Sequence, residues 1–112
     1  MDWIGNAFSL NMLADLGPPP HSAAYIEATA LSMGEVRLWI RENEPRSCIG
    51  HEPTAAIVSD LLGEPIAMVR ETVKLCSGDR ILVAQYSGPR LPEGATVLPV
   101  DASIQWVLVR IV

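Results

Sequence analysis

The stretch His51-Glu52-Pro53-Thr54-Ala55-Ala56-Ile57-Val58-Ser59-Asp60-Leu61-Leu62-Gly63 carries the marks of both ends of one helix. Proline suits a first helical position, where its missing N–H would have had no partner anyway. His51 or Glu52 is then the cap. Ile57, Val58, Leu61 and Leu62 recur at helical spacing and define one apolar face, and Gly63 supplies the residue type at which helices stop. Upstream, Ser32-Met33-Gly34-Glu35 is a capping-box pattern, in which the serine bonds the backbone at the third helical position and the glutamate reaches back. A helix over about residues 33–42 puts Val36, Trp39 and Ile40 together, and Asn43 to Pro45 ends it.

The rest of the chain reads as strands and loops. Val69, Glu71, Val73 and Leu75 alternate with Arg70, Thr72 and Lys74, Ser77-Gly78-Asp79 is turn chemistry, and Arg80 to Tyr86 is the returning strand of a predicted hairpin. Ser87 to Gly94 is a loop rich in Pro and Gly, and Ser103 to Val112 is a last apolar strand. Before the helices, Trp3 to Phe8 reads as a first strand and Ala24 to Ala30 as a short one. They are separated by Gly17-Pro18-Pro19-Pro20, which neither a ladder nor a helix accommodates. The expected architecture is α+β: a single domain over residues 1–112, with a mixed sheet of about five strands and two main helices.

Composition narrows the partners. Apolar residues make up 49% of the 112, enough for a core without staples. Trp3, Trp39 and Trp106 lie in apolar stretches and are expected to pack in it. Cys48 and Cys76 form no CxxC pair, which fits a reducing compartment. The first residues hold Asp2 and no Lys or Arg, and the longest apolar run is short and broken by Arg110, so a cytoplasmic protein without a membrane partner is expected. Eight basic residues against thirteen acidic ones, net charge −5, argue against DNA or other extended nucleic acid. A small polyanion is compatible, because seven of the eight basic residues are arginine, whose planar fork holds phosphate.

Chemistry concentrates around one histidine. His21 follows three prolines in a surface loop. His51 stands in Ser47-Cys48-Ile49-Gly50-His51-Glu52-Pro53-Thr54, where a loop turns into a helix. Gly50 allows close approach to the backbone. The free N–H groups of a helix start attract phosphate, and a histidine there can protonate an oxygen of it. The alternative is a capping histidine with no chemistry. Cys48, Cys76, His21 and His51 have poor spacing for zinc. A Cys48 nucleophile with His51 as base has no orienting acid in view, so Cys48 reads as a small buried residue. The sequence contains no Walker loop, GxGxxG or HExxH, and its carboxylates are scattered, so no metal site and no cofactor are expected.

Five ordered blocks then carry a resemblance. They are Asn6 to Met12, the His51 segment Ser47 to Thr54 (a Ser-x-Ile-Gly-His-x-x-Thr signature), Arg70 to Leu75, Asp79 to Gln85, and Arg90-Leu91-Pro92-Glu93-Gly94. Together the chain resembles the viral anti-CRISPR ring nucleases of type III systems, a family with host-encoded members too. The resemblance implies a two-fold homodimer that binds cyclic tetra-adenylate and cuts it without metal. His51 would be the general acid, with Arg90 and Glu93 beside it. Asn6, Ser9, Ile49, Gly50, Arg70 and Gln85 would contact the ring. Two departures from the family pattern stand out. Ala95 to Ala102, with Pro99, leaves no room for a helix that relatives often carry, and Pro89 looks inserted before Arg90. The competing readings are a non-catalytic sensor or sponge for the same ligand, and a protein-interface module using the last strand.

Overall fold

A computed structural model describes residues 1–112. Five strands and two helices follow in the order β1 (Asp2–Gly5), β2 (Ile26–Leu31), α1 (Met33–Asn43), β3 (Arg46–Ser47), α2 (Glu52–Leu62), β4 (Arg80–Ser87) and β5 (Ser103–Ile111), with a 3₁₀ turn at Leu10–Met12. The α+β architecture is as expected. The strands form one sheet in the order β2-β5-β4-β1-β3. β1 runs parallel to both β3 and β4, while β5 is antiparallel to β4 and β2. The Ala95 to Ala102 segment carries no helix.

Both helices end where their chemistry says they should. The Ser32 hydroxyl accepts from the Glu35 N–H at 3.2 Å, and the Glu35 carboxylate accepts from the Ser32 N–H at 3.0 Å. The Ser32 backbone N–H on the carboxylate, and secondarily the Ser32 side chain, hold the Glu35 carboxyl below its ordinary range. α1 stops at Glu44, itself in the left-handed region with φ 44°. His51 is the N-cap residue of α2, Pro53 lies in the first turn, and Gly63 closes the helix with φ 68°.

Alternation in the strands divides the core into two. On one face Ile4, Leu82, Ala84 and Trp106 meet Val36, Trp39 and Ile40 of α1 and Ala55, Val58 and Leu62 of α2. On the other, Trp3, Ile81, Val83, Val109 and Ile111 meet Val73 and Leu75, with Phe8, Met12 and Leu13 packed against them. All three tryptophans are buried. Arginines cover two of them: Arg46 lies 5.0 Å over the Trp3 ring and Arg80 5.3 Å over Trp39. Arg80 also donates twice to the Asp2 carboxylate, at 2.9 and 2.8 Å, tying β4 to β1.

The predicted hairpin is a correction. Residues 69–75 form no strand, and β4 pairs with β1 and β5 instead. The fifth strand is the two-residue β3, which no periodicity announces. The alternation in 69–75 is real but is satisfied by packing. Both edges of β4 are taken, so the segment crosses the second face of the sheet, with Val73 and Leu75 buried and Arg70, Thr72 and Lys74 exposed. Single bridges hold its ends, Met68 to Ile49 and Leu75 to Leu13. β1 likewise stops at Gly5, short of Phe8. A Cβ on Gly5 would lie 3.0 Å from both the Cys48 sulfur and the Ile81 side chain, so the strand packs too closely there for a larger residue. The chain then leaves the sheet at Asn6.

Candidate functional site

Where β1 ends, the loops at residues 6–12, 48–50 and 70–74 line an open cavity of about 600 Å³. Asn6, Ser9, Asn11, Gly50, Arg70, Thr72 and Lys74 supply its polar lining. Three bonds set its shape. The Asn6 carboxamide oxygen accepts from the Gly50 N–H at 3.3 Å, Arg70 Nε donates to the Gly50 carbonyl at 3.1 Å, and Lys74 Nζ donates to the Asn11 carbonyl. Two cations and one carboxylate, Glu71, line the same space, so its formal balance is positive on a chain that is acidic overall. Such local focusing lets an acidic protein hold an anion.

Of the expected ring contacts, Asn6, Ser9, Gly50 and Arg70 line this cavity together. Gln85 lines an adjoining cavity of about 320 Å³, which shares Asn6 and Ala7 and adds Phe8, Val83, Val107 and Val109. Ile49 differs from expectation. Its side chain is fully buried in the helix-side core, its N–H donates to Ser47 Oγ, and its carbonyl accepts from Val69 N–H. Ile49 therefore positions Gly50. Lys74 and Thr72 join the lining through the same alternation that turns Arg70 outward, and Asn11 joins it from the loop after β1, where no sequence pattern points to it.

His51 is exposed and stands immediately beside the cavity-lining Gly50. It makes no side-chain capping bond. Its Nδ1 instead lies 2.7 Å from Thr54 Oγ1, one turn into α2. The N–H of the exposed Glu52 has no backbone acceptor, so the start of α2 offers a donor as well as an imidazole. Arg90 and Glu93 are not gathered with the ring contacts. Glu93 lines a separate depression with Glu52, Pro53 and Ala56 at the start of α2, and Arg90 is an exposed loop residue. The loop they share is pinned by Tyr86 Oη, which donates to the Pro89 carbonyl at 2.6 Å.

Cys48 lines the cavity, but burial, and secondarily the charge of Glu71, pushes its thiol up to about 11. A thiol held protonated is a poor nucleophile. No group of three or more His, Cys, Asp or Glu side chains lies close enough to hold a metal ion, and no helix is long and apolar enough to cross a membrane.

A profile of the STIV B116-like family matches residues 3–102. The chain belongs to that family. Among solved structures, B116 of Sulfolobus turreted icosahedral virus has the same fold, with a TM-score of 0.73 and 24% identity over 97% of each chain. No curated protein matches the chain. The family match spans the whole cavity and the start of α2, and stops just before β5.

Proposed function

We propose that this STIV B116-like chain is a metal-independent ring nuclease. It cleaves cyclic tetra-adenylate into linear di-adenylates with 2′,3′-cyclic phosphate ends, and so switches off type III CRISPR signalling. The observation that carries the reading is the Gly50–His51 junction. There an arginine tethered to the Gly50 carbonyl lines a positively balanced cavity, and the next residue is an exposed imidazole at the mouth of a helix.

RNA brings its own nucleophile, the ribose 2′-hydroxyl. The protein need only hold that oxygen in line with phosphorus and the departing 5′-oxygen, and orientation then removes much of the barrier. In this proposal Arg70 and Lys74 hold phosphates, and the amides of Asn6 and Gln85 meet the bases. His51 gives its Nε2 proton to the leaving 5′-oxygen, worth typically about 10²–10⁴ in rate. The 2′-oxygen, its proton passing to solvent or to Glu93, closes on phosphorus as the P–O5′ bond breaks, and no water is consumed. Arg90 stabilises the crowded phosphate, and Glu93, beside the start of α2, accepts the 2′ proton or helps to orient His51.

Size bears on the assembly. Pockets of about 300–1,000 Å³ hold drug-sized ligands, and a ring of four nucleotides exceeds that class. One protomer at about 600 Å³ then takes part of it, and a homodimer takes the whole, since a four-fold ring contains the two-fold axis of a dimer.

One observation favours the second reading, a sponge that holds the ring intact. His51, Arg90 and Glu93 do not line the main cavity. Incubating the protein with labelled cyclic tetra- and hexa-adenylate in EDTA separates the two. Linear dinucleotides support the nuclease, and intact ring comigrating with protein supports the sponge.

A further inference from the structure

Thr54 is 5% exposed, and its hydroxyl has one partner, the Nδ1 of His51 at 2.7 Å. A helical threonine commonly turns its hydroxyl to the carbonyl four residues back. Here that carbonyl belongs to Gly50, and Arg70 Nε occupies it at 3.1 Å. The hydroxyl turns to the imidazole instead. The ring is otherwise exposed and makes no capping bond, so Thr54 is what fixes its orientation.

We propose that Thr54 is a positioning residue for His51, holding the imidazole in one orientation through the gain and loss of its proton. The inference rests on the nuclease reading. A hydroxyl both donates and accepts. When the ring is an imidazolium, its Nδ1–H donates to Thr54 Oγ1 and the Nε2 proton faces outward. As the 2′-oxygen bonds phosphorus, giving its proton to solvent, the P–O5′ bond breaks and the 5′-oxygen takes the Nε2 proton. The neutral ring keeps its Nδ1–H on Thr54. If solvent exchange moves that proton to Nε2, the Thr54 O–H reverses and donates to Nδ1. The ring keeps one position in every state, and the buried hydroxyl keeps its one hydrogen bond to Nδ1 throughout, as acceptor or as donor.

The test uses Thr54→Val, which keeps the buried shape and removes the hydroxyl, with Thr54→Ser as the conservative variant. In single-turnover cleavage of cyclic tetra-adenylate, Thr54→Val is expected to be about ten- to hundredfold slower, the range for losing a group that orients a catalytic one. Half-saturation should move less than about twofold, because a positioning loss falls on the rate and not on binding. Thr54→Ser should recover most of the rate. An independent readout is the ¹⁵N resonance of His51 Nδ1 in the free protein, read cleanly in a His21→Gln background because the chain has two histidines. It should shift in Thr54→Val and return in Thr54→Ser. A Thr54→Val enzyme that cuts at the wild-type rate, a serine variant as slow as the valine one, or an unmoved Nδ1 resonance overturns the proposal. If the wild-type chain leaves the ring uncut, the nuclease reading itself has failed, and the resonance still reports whether the hydrogen bond exists.

Discussion

Replacing Arg70 should weaken ring binding without unfolding the protein. Its Nε is committed to the Gly50 carbonyl, which leaves both terminal nitrogens free to grip a phosphate as a fork. A hydrogen bond to a charged group contributes about 1.5–3 kcal/mol. Arg70 is exposed, so solvent screening favours the lower part of that range. With each 1.4 kcal/mol a factor of ten, Arg70→Ala should raise the Kd about ten- to thirtyfold. Arg70→Lys keeps the charge, but one ammonium cannot hold both the Gly50 carbonyl and a phosphate in the same geometry. It should recover less than half of the lost binding energy. The assay is equilibrium binding of labelled ring in a His51→Ala background, where the ligand persists. Melting should fall only modestly, because the Arg70–Gly50 bond that is lost is solvent-exposed and worth about 0.5–1.5 kcal/mol. An unchanged Kd for Arg70→Ala, or full rescue by lysine, would refute the reasoning.

Three further outcomes follow from the packing and the titrating groups. Gly88→Ala should destabilise the protein by more than about 1 kcal/mol in urea denaturation, because the new Cβ would lie 2.6 Å from the Ala102 Cβ and 2.9 Å from its Cα. At neutral pH a thiol reagent should label one cysteine in the native protein, the exposed Cys76, and two after denaturation, since Cys48 is held protonated by burial. The capping contribution of Glu35 is fully present above the ordinary carboxylate range and is lost as pH falls through its lowered folded value. Circular dichroism should therefore show α1 fraying in acid, and Glu35→Gln should remove that step.

The helices were legible because their ends are written in side-chain chemistry. Ser32 and Glu35 cap each other, and Pro53 and Gly63 bracket α2. β4 and β5 were legible as apolar runs next to turn residues. Residues 69–75 depart from the expected strand because period-two alternation reports one buried and one exposed side, not a ladder. Val73 and Leu75 bury against the sheet face, where a strand would have buried them within the sheet. Nothing in Arg46-Ser47 distinguishes two paired residues from loop. At the site, Asn6, Ser9, Gly50 and Arg70 do share one cavity, because the Asn6–Gly50 and Arg70–Gly50 bonds draw three loops together. Arg90 and Glu93 lie outside it, on a loop whose path is set by the Tyr86–Pro89 bond and the close approach of Gly88 to Ala102. The first joins residues three apart through the local backbone path and the second spans fourteen positions, and neither is written in the apolar pattern.

The most direct measurement is single-turnover cleavage of cyclic tetra-adenylate in EDTA by the wild-type chain and by His51→Ala, with the product ends identified. Wild type should yield two di-adenylates ending in 2′,3′-cyclic phosphate, and His51→Ala should bind the ring as tightly yet cut about 10²–10⁴ times more slowly. Equal rates for the two proteins, or a ring that stays closed on a saturated wild-type chain, would contradict the account.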